Sequence, residues 1–553
     1  MNAPLSTRLY STLSRSVEPL TPAEPGHVRL YCCGPTPYDE AHVGHVRSAM
    51  LSDLLARHLR AKGLKVTYVR NVTDVDDKIL RRAREEGVEP LALSARFTAL
   101  YQQDVAAIGC VAPDYEPRVS ECIDDIIAFV RGLIERGAAY EVETPTGRDV
   151  WYSVRSFEGY GKLSRRPLDD LRSGQGLEAR GKEAHRDKHD PLDFALWKAA
   201  PEGEWAFDSP WGRGRPGWHI ECSAMCERYL GFGFDVHLGG MDLIFPHHEN
   251  EIAQSEAMHP GKGPFAHLWM HGGFVNVRKP KAAAEGAATA PGGEASAAPG
   301  GAASEGDEAV EKMSKSLGNF FTVRQCTTRN DPEALRYFLL SAHYRVPIVF
   351  DIEPLASGDG VAFPGLDEAE RRVDSLYATS ERLTALAAGA PAGATAGVPR
   401  EIAPLAEVVR GARGRVSAAL DDDLNAPAAL AAISELVRAS GQLCELAQKR
   451  RKDAALQAAA AGLAAEAIEA LGACAGAVGL MLAPPAEYAA RTRARRLGVR
   501  GLDAAEVDAK VLAREQARQA KDFARGDALR AELAGRGVEL SDGPTGTTWR
   551  VVA

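Results

Sequence analysis

Two histidines three residues apart stand out in Pro35-Thr36-Pro37-Tyr38-Asp39-Glu40-Ala41-His42-Val43-Gly44-His45. The segment follows a strand-like run and opens a helical one. At a helix start the unpaired N–H groups and the helix dipole favour an anion. His42 and His45 share one face and could donate hydrogen bonds to phosphate oxygens, with Gly44 leaving room for a ligand. A metal pair or two solvent-facing histidines would fit the same residues. A second cluster, Glu311-Lys312-Met313-Ser314-Lys315-Ser316-Leu317-Gly318-Asn319, sets Lys312 and Lys315 three apart in a Ser- and Gly-containing loop. Such a pair makes an adjustable cationic clamp for a polyphosphate, or else an ordinary solvated face. Both clusters occur in α/β surroundings in this order, which favours the phosphate reading for each.

Four further side chains have the chemistry of a metal site. Cys33 ends the first of these strand-like runs, and Cys222 lies in Pro216-Gly217-Trp218-His219-Ile220-Glu221-Cys222. His247 and Glu251 lie in Phe245-Pro246-His247-His248-Glu249-Asn250-Glu251, on one face if that segment is helical. Two thiolates, an imidazole and a carboxylate form a borderline-soft donor set suited to zinc. There is no tight Cys-x-x-Cys pattern, so buried structural cysteines and a plain helix face remain competing readings. Cys32 and Cys226 are adjacent spare thiols; strand alternation points Cys32 and Cys33 to opposite faces, so only one of the two should reach the site.

These residues need elements to hold them. His27 to Cys33 and Lys65 to Arg70 read as strands, and Gly44 to Lys62 reads as a helix with Val46, Met50, Leu54, Leu55 and Leu59 on one face. Strand, helix, strand over so short a span is a βαβ unit, hence a parallel sheet covered by helices. Val119 to Arg136 has helical spacing. From 139 to about 210, short β-like pieces alternate with charged loops, as an inserted subdomain would. A second α/β stretch reaches Asp351. Within it, 281–309 is almost wholly Ala, Gly, Pro, Glu, Ser and Thr, a composition that predicts a disordered surface insertion. Residues 363–482 have helical period and read as a bundle, and 491–553 read as a small terminal module with 13 basic and 9 acidic residues.

At 553 residues, with 45% apolar and 25% charged side chains, the chain is an ordinary multidomain globular protein. Its net charge of −9 means that a nucleic-acid partner would be held by local basic patches. Nine scattered cysteines fit a reducing compartment better than a disulfide framework. No apolar leader and no strongly apolar run of membrane-spanning length is evident, so a cytoplasmic protein without membrane association is expected.

The strings His42-Val43-Gly44-His45 and Lys312-Met313-Ser314-Lys315-Ser316 resemble the HIGH and KMSKS signatures of class I aminoacyl-tRNA synthetases. Cys33-Gly34-Pro35-Thr36, Arg70 to Lys78, Gly217 to Cys222, Phe245 to Glu251 and Asp421-Asp422-Asp423-Leu424-Asn425 narrow the resemblance to the cysteinyl-tRNA synthetases, over nearly the whole chain.

The resemblance implies an α/β, Rossmann-like parallel-sheet catalytic domain (1–138 and 211–351) with an inserted connective subdomain (139–210). A C-terminal helical, tRNA-binding bundle (363–482) and a small anticodon-binding module (491–553) would follow. It implies zinc on Cys33, Cys222, His247 and Glu251, and a cysteine pocket at Gly34, Thr73 and Trp218. ATP, as Mg-ATP, would meet His42, His45, Gly240, Asp242 and Lys315, with Lys312 beside the phosphates. Its partners would be L-cysteine, ATP and tRNA(Cys), and the chain is expected to act as a monomer. A hydrophobic pocket separates cysteine poorly from near-isosteric serine, whereas zinc binds a thiolate strongly and lowers its pKa. A related ligase that transfers cysteine to an amino-sugar would share these residues but have no use for the helical bundle and basic tail.

Overall fold

The computed structural model describes residues 5–166, 188–278, 310–313, 319–355, 360–389, 399–543 and 546–552. Residues 281–309, expected as an insertion, and Lys315 of the lysine loop lie outside the described residues. The chain divides into two units, one of residues 1–275, 342–348 and 417–429, the other of 276–341, 349–416 and 430–553.

The first unit is built on a parallel sheet. A hairpin, β1 (Arg8–Ser11) and β2 (Ser16–Pro19), precedes β3 (His27–Cys32), α1 (Val43–Ala61) and β4 (Lys65–Arg70). β3 and β4 pair in parallel with His27 opposite Lys65, the expected βαβ unit. Helices α2 (Asp77–Glu86), α3 (Pro90–Ala107) and α4 (Ile123–Glu135) follow. An antiparallel meander of β5 (Ala139–Thr144), β6 (Gly147–Tyr152), β7 (Phe194–Ala199) and β8 (Gly214–Pro216) comes next. The chain then returns through α5 (Trp218–Leu230), β9 (Phe234–Gly240), α6 (Glu249–Met258) and β10 (Ala266–Gly272).

The parallel sheet has the order β10-β9-β3-β4. From β3 the chain builds outward to β4, then crosses back to lay β9 on the other side of β3. The crevice at the carboxyl ends of β3 and β9 is therefore a topological switch point, where open α/β sheets bind ligands. Tyr31, Trp197, Ile220, Phe234, Phe265 and Trp269 are fully buried in one core cluster behind it.

The expected single helix from 119 to 136 is broken. Val119–Glu121 forms a 3₁₀ turn and α4 begins only at Ile123. Ser120 donates its N–H (2.9 Å) and hydroxyl (2.5 Å) to Asp74, and Val119 N–H donates to the Val72 carbonyl. The turn is thereby tied to the loop after β4 and cannot continue the helical ladder.

The second unit holds a small sheet of β11 (Val275–Arg278), β12 (Val310–Lys312) and β13 (Ile348–Asp351), in the order β12-β11-β13. Short helices α7 (Val323–Arg329) and α8 (Pro332–Leu340) and the ribbon β14 (Glu353–Pro354) with β15 (Val361–Ala362) accompany it. The bundle helices are α9 (Pro364–Ala388), α10 (Ala403–Asp421), α11 (Ala426–Lys449) and α12 (Ala454–Ala477). Helix α12 departs from the sequence reading, being long and apolar enough to cross a membrane by length and composition alone. Its apolarity is mostly alanine, and Leu456, Leu463, Leu471 and Cys474 are buried along it. The chain ends with α13 (Pro485–Val499), α14 (Ala504–Gln519), α15 (Phe523–Gly535) and the hairpin β16 (Val538–Gly543) and β17 (Gly546–Val551).

Candidate active site

At the switch point the four expected donors converge: one ligand atom each from Cys33, Cys222, His247 and Glu251, all within 4.8 Å of one another. Cys33 stands just past β3, Cys222 in the second turn of α5, and Glu251 in the first turn of α6. His247 precedes α6 in a wide turn, Ile244–His248, in which Phe245 is non-helical and the Phe245–Pro246 peptide is cis. The segment is thus not one continuous helix, yet His247 Nε2 still lies 3.0 Å from Glu251 Oε1. The Cys33 and Cys222 sulfurs are 3.9 Å apart, and Cys33 Sγ is 3.5 Å from Glu251 Oε1. Bonds of 2.0–2.3 Å to a tetrahedral ion would set ligand atoms about 3.3–3.8 Å apart, so the donors are close to that spacing without an ion.

A ring of histidines surrounds these four. His237, on β9, donates Nε2–H to Glu251 Oε2 at 2.8 Å. His219 Nδ1 lies 3.0 Å from His247 Nδ1, which leaves His247 Nε2 toward the donor set. Thr12 Oγ1 reaches His271 Nδ1 at 2.7 Å, and His271 Nε2 reaches His248 Nδ1 at 2.7 Å. His248 Nε2 in turn lies 3.3 Å from Cys33 Sγ. Partners of this kind fix ring orientation and tautomer around a metal. Cys33, His237, His248 and Glu251 form a second overlapping donor set. The set with Cys33 and Cys222 offers two thiols where the other offers one, and so is the softer donor set and the better match to zinc.

The titration of these groups follows from burial and mutual contact. Burial pushes His271 down to about 3, and burial with the surrounding imidazoles holds His248 well below its ordinary value. Both rings are therefore neutral, as a chain of N–H donors running toward Cys33 requires. Burial opposes ionisation of Glu251, but His237 and His247 outweigh it and hold the carboxyl at about 2. The Cys33 hydrogen bond holds the Cys222 thiol down at about 6, while burial pushes Cys33 well up. Glu221, beside Cys222, is fully buried, and neither of its oxygens has a hydrogen-bond partner among the described residues.

The residues expected to border the amino acid neighbour the donors. Gly34 N–H donates to Asn71 Oδ1 at 2.8 Å, and Asn71 Nδ2 donates to Thr73 Oγ1 at 3.1 Å. A Cβ at Gly34 would fall 1.6 Å from the Asn71 carbonyl oxygen, so only glycine permits this approach. Trp218, at the start of α5, stacks on His247 with ring centroids 4.4 Å apart.

The histidine loop opens α1 as expected, with a local role as well. His42 caps the helix, its Nδ1 accepting from Gly44 N–H at 3.1 Å, while His42 N–H donates to His45 Nδ1 at 3.3 Å. The rings stack at 3.8 Å. A Cβ at Gly44 would meet the His42 ring at 2.9 Å, so the glycine makes room for an imidazole as well as for any ligand. Gly240 ends β9 and Asp242 follows in a 3₁₀ turn, with Asp242 Oδ1 2.5 Å from where a Gly240 Cβ would stand.

In the second unit, Lys312 ends β12, with Asn276 opposite it on β11. Asn319 Nδ2 donates to the Lys312 carbonyl at 3.1 Å. In the terminal module, Trp549 is half-buried against the Val507, Val511 and Leu533 core, with the Arg493 guanidinium 3.7 Å above its ring.

The buried histidines were not singled out from the sequence. His237 and His271 sit on separate strands, and only the pairing of β10 with β9 brings them to one place. A signal existed in the frequency of histidine between 219 and 271, where seven of the chain's 14 fall.

Residues 19–285 and 308–359 match the family model "tRNA synthetases class I (C) catalytic domain", and 415–482 match the "DALR domain". The cysteine--tRNA ligase of Anaeromyxobacter sp. (strain K) is 45% identical over 552 residues, covering 99% of this chain and 100% of the relative. That of Thioalkalivibrio sulfidiphilus is 44% identical over 543 residues, covering 98% and 99%. Among solved structures, Mycobacterium tuberculosis methionyl-tRNA synthetase in complex with methionyl-adenylate superposes with a TM-score of 0.58 at 14% identity. It covers 82% of this chain and 91% of its own, a likeness of fold.

Proposed function

Since the chain belongs to the cysteine--tRNA ligases, class I aminoacyl-tRNA synthetases, we propose that it activates L-cysteine with Mg-ATP as cysteinyl-adenylate and transfers it to tRNA(Cys), with zinc selecting the thiol. The observation that carries this is the convergence of Cys33, Cys222, His247 and Glu251 at the sheet's switch point, their ligand atoms within 4.8 Å of one another. These four would hold the zinc. Bound there, it would accept the substrate's sulfur as thiolate and so separate cysteine from serine, whose hydroxyl is a harder and far less acidic donor.

The chain's own residues do the rest by positioning and electrostatics. Gly34, Thr73 and Trp218 border the side chain. The cysteine carboxylate attacks the α-phosphorus of ATP, and pyrophosphate leaves with the electron pair of the broken P–O bond. His42 and His45, at the positive end of α1, donate hydrogen bonds to the phosphates, and Lys312 with Lys315 balances the charge of the leaving pyrophosphate. Gly240 and Asp242 border the adenosine. The 2′-hydroxyl of the terminal adenosine of tRNA then attacks the acyl carbon, and AMP leaves.

Within this reading, 363–482 contacts tRNA and 491–553 reads the anticodon. The protein works as a monomer in the cytoplasm, where its thiols stay reduced. The match of 415–482 to a DALR domain and the full-length likeness to tRNA ligases support tRNA over an amino-sugar as acceptor.

The test is charging of unmodified tRNA bearing a GCA anticodon, with serine and an anticodon mutant alongside. Cysteine-selective charging that falls with the anticodon change is expected. Cysteine-dependent pyrophosphate exchange without charging would overturn the tRNA assignment, and equal use of serine would overturn the zinc assignment.

A further inference from the structure

Arg47 lies on α1, two residues beyond the histidine loop, and is 5% exposed. Among the described residues no carboxylate pairs with it. Its guanidinium donates instead to five main-chain carbonyls, those of Gly273, Phe274, His343, Tyr344 and Val346. Nη1 reaches Gly273 at 3.0 Å and Phe274 at 2.6 Å, and Nη2 reaches His343 at 3.3 Å and Tyr344 at 3.4 Å. Burial lowers its pKa to about 10, which leaves the group charged at neutral pH. A buried cation with no counter-ion is costly unless dipoles surround it, and here both terminal nitrogens are committed to carbonyls.

Where those carbonyls lie in the chain is the informative part. Residues 273 and 274 directly precede the point, after 275, at which the chain leaves the first unit; 342–348 is the stretch by which it returns before leaving again. The excursion between them, 276–341, carries Lys312. Backbone bonds join the same two stretches, from Gly273 N–H to the Tyr344 carbonyl (2.7 Å) and from Ile348 N–H to the Phe274 carbonyl (3.0 Å). A Cβ at Gly273 would come within 2.8 Å of the Arg345 and Val346 carbonyl oxygens, so the crossing admits no side chain there. Asp423 grips the far side, accepting from Tyr344 Oη at 2.6 Å and Arg345 Nε at 2.7 Å.

We propose that Arg47 is a positioning residue for adenylate formation: it ties the two stretches at which the chain leaves and re-enters the first unit, on either side of the lysine-bearing excursion, to the helix that starts at the histidine loop. This rests on the reading of Lys312 given above. Lysine at 47 keeps the charge but has a single nitrogen and cannot bridge both stretches.

A double-mutant cycle in cysteine-dependent ATP–pyrophosphate exchange on the full chain tests this. Arg47→Lys should lower kcat of exchange about 10- to 100-fold, the cost of a small misplacement, with KM for cysteine and metal content as in the wild type. If it acts through the lysine loop, Arg47→Lys together with Lys312→Ala should be no slower than Lys312→Ala alone. An Arg47→Lys enzyme at full kcat, a loss that adds fully to that of Lys312→Ala, or a loss that tracks metal content would each overturn the proposal. Lys312→Ala at the wild-type rate would overturn the lysine-loop reading and the proposal with it. Should Arg47→Lys fail to fold, Gly273→Ala, which presses on the same crossing, enters the cycle with the same expected non-additivity.

Discussion

His237 donates its Nε2–H to Oε2 of Glu251, at 2.8 Å, while Oε1 of the same carboxylate faces His247 at 3.0 Å. One oxygen is thus fixed by the sheet and the other is offered to the metal donors. His237→Ala should therefore weaken zinc binding about 10- to 100-fold, as removal of a ligand's outer partner typically does. Competition with a chromogenic chelator measures it. Unchanged affinity would mean that Glu251 is oriented by its helix alone.

Gly34 approaches the Asn71 carbonyl so closely that a Cβ would lie 1.6 Å from the oxygen. Gly34→Ala must push apart the two loops that carry Cys33 and Thr73. The expected outcome is loss of exchange activity by about 100-fold or more, with KM for cysteine rising. An enzyme within a few-fold of wild type would show that these loops move without cost.

The neutral His271 ring makes stability pH-dependent in a defined direction. Its folded pKa, about 3, lies below its ordinary value of 6.5, so its contribution is present above 6.5 and is lost as pH falls toward 3. Between those limits the slope from this group is up to about 1.4 kcal/mol per pH unit. Urea denaturation of wild type and His271→Asn from pH 7 to pH 4 should show the variant less sensitive to acid. Parallel curves would assign the acid loss to other groups.

In the second unit, Glu370 is 1% exposed and accepts from Arg496 Nε at 3.0 Å, Arg496 Nη2 at 2.6 Å and Asn330 Nδ2 at 3.0 Å. Glu370→Ala removes one of the two carboxylates that pair with the buried Arg496 guanidinium, leaving Asp374 on Nη2 at 2.9 Å, at a cost of about 1.5–3 kcal/mol. Because Arg496 also holds the Val551 carbonyl at 3.0 Å, the loosening should spread to the terminal module. Charging of tRNA should fall while cysteine-dependent exchange persists; equal loss of both would contradict a separate role for 491–553.

Much of this architecture was legible in residue order, and the reasons are local. The strand at Lys65–Arg70 has the bounds that alternation predicts, and α1 begins one residue from the expected start. The four candidate donors, which the fold brings within 4.8 Å of one another, were identifiable because each stands in a distinctive string. The histidine ring was not, since its members are paired by sheet order and by the turn before α6, neither of which leaves a spacing to read. The break near Cys122 was hidden for a similar reason. Hydrogen bonds from Ser120 to Asp74, 46 positions away, override a helical pattern that is locally sound.

The return of the chain to the first unit at 342–348 and 417–429 bears on the order of events during synthesis. Every strand of the parallel sheet is made by residue 272, and α1 has long left the ribosome by then. Yet the carbonyls of His343, Tyr344 and Val346 that hold Arg47, and the Asp421 carboxylate that pairs with Lys62 at 2.7 Å, are still unmade. Until roughly three-quarters of the polypeptide has emerged, the helix that follows β3 carries cations, Arg47 within it and Lys62 at its C-cap, without their partners. Completion of this unit is therefore a late event in translation, although its sheet is among the first structures the ribosome produces.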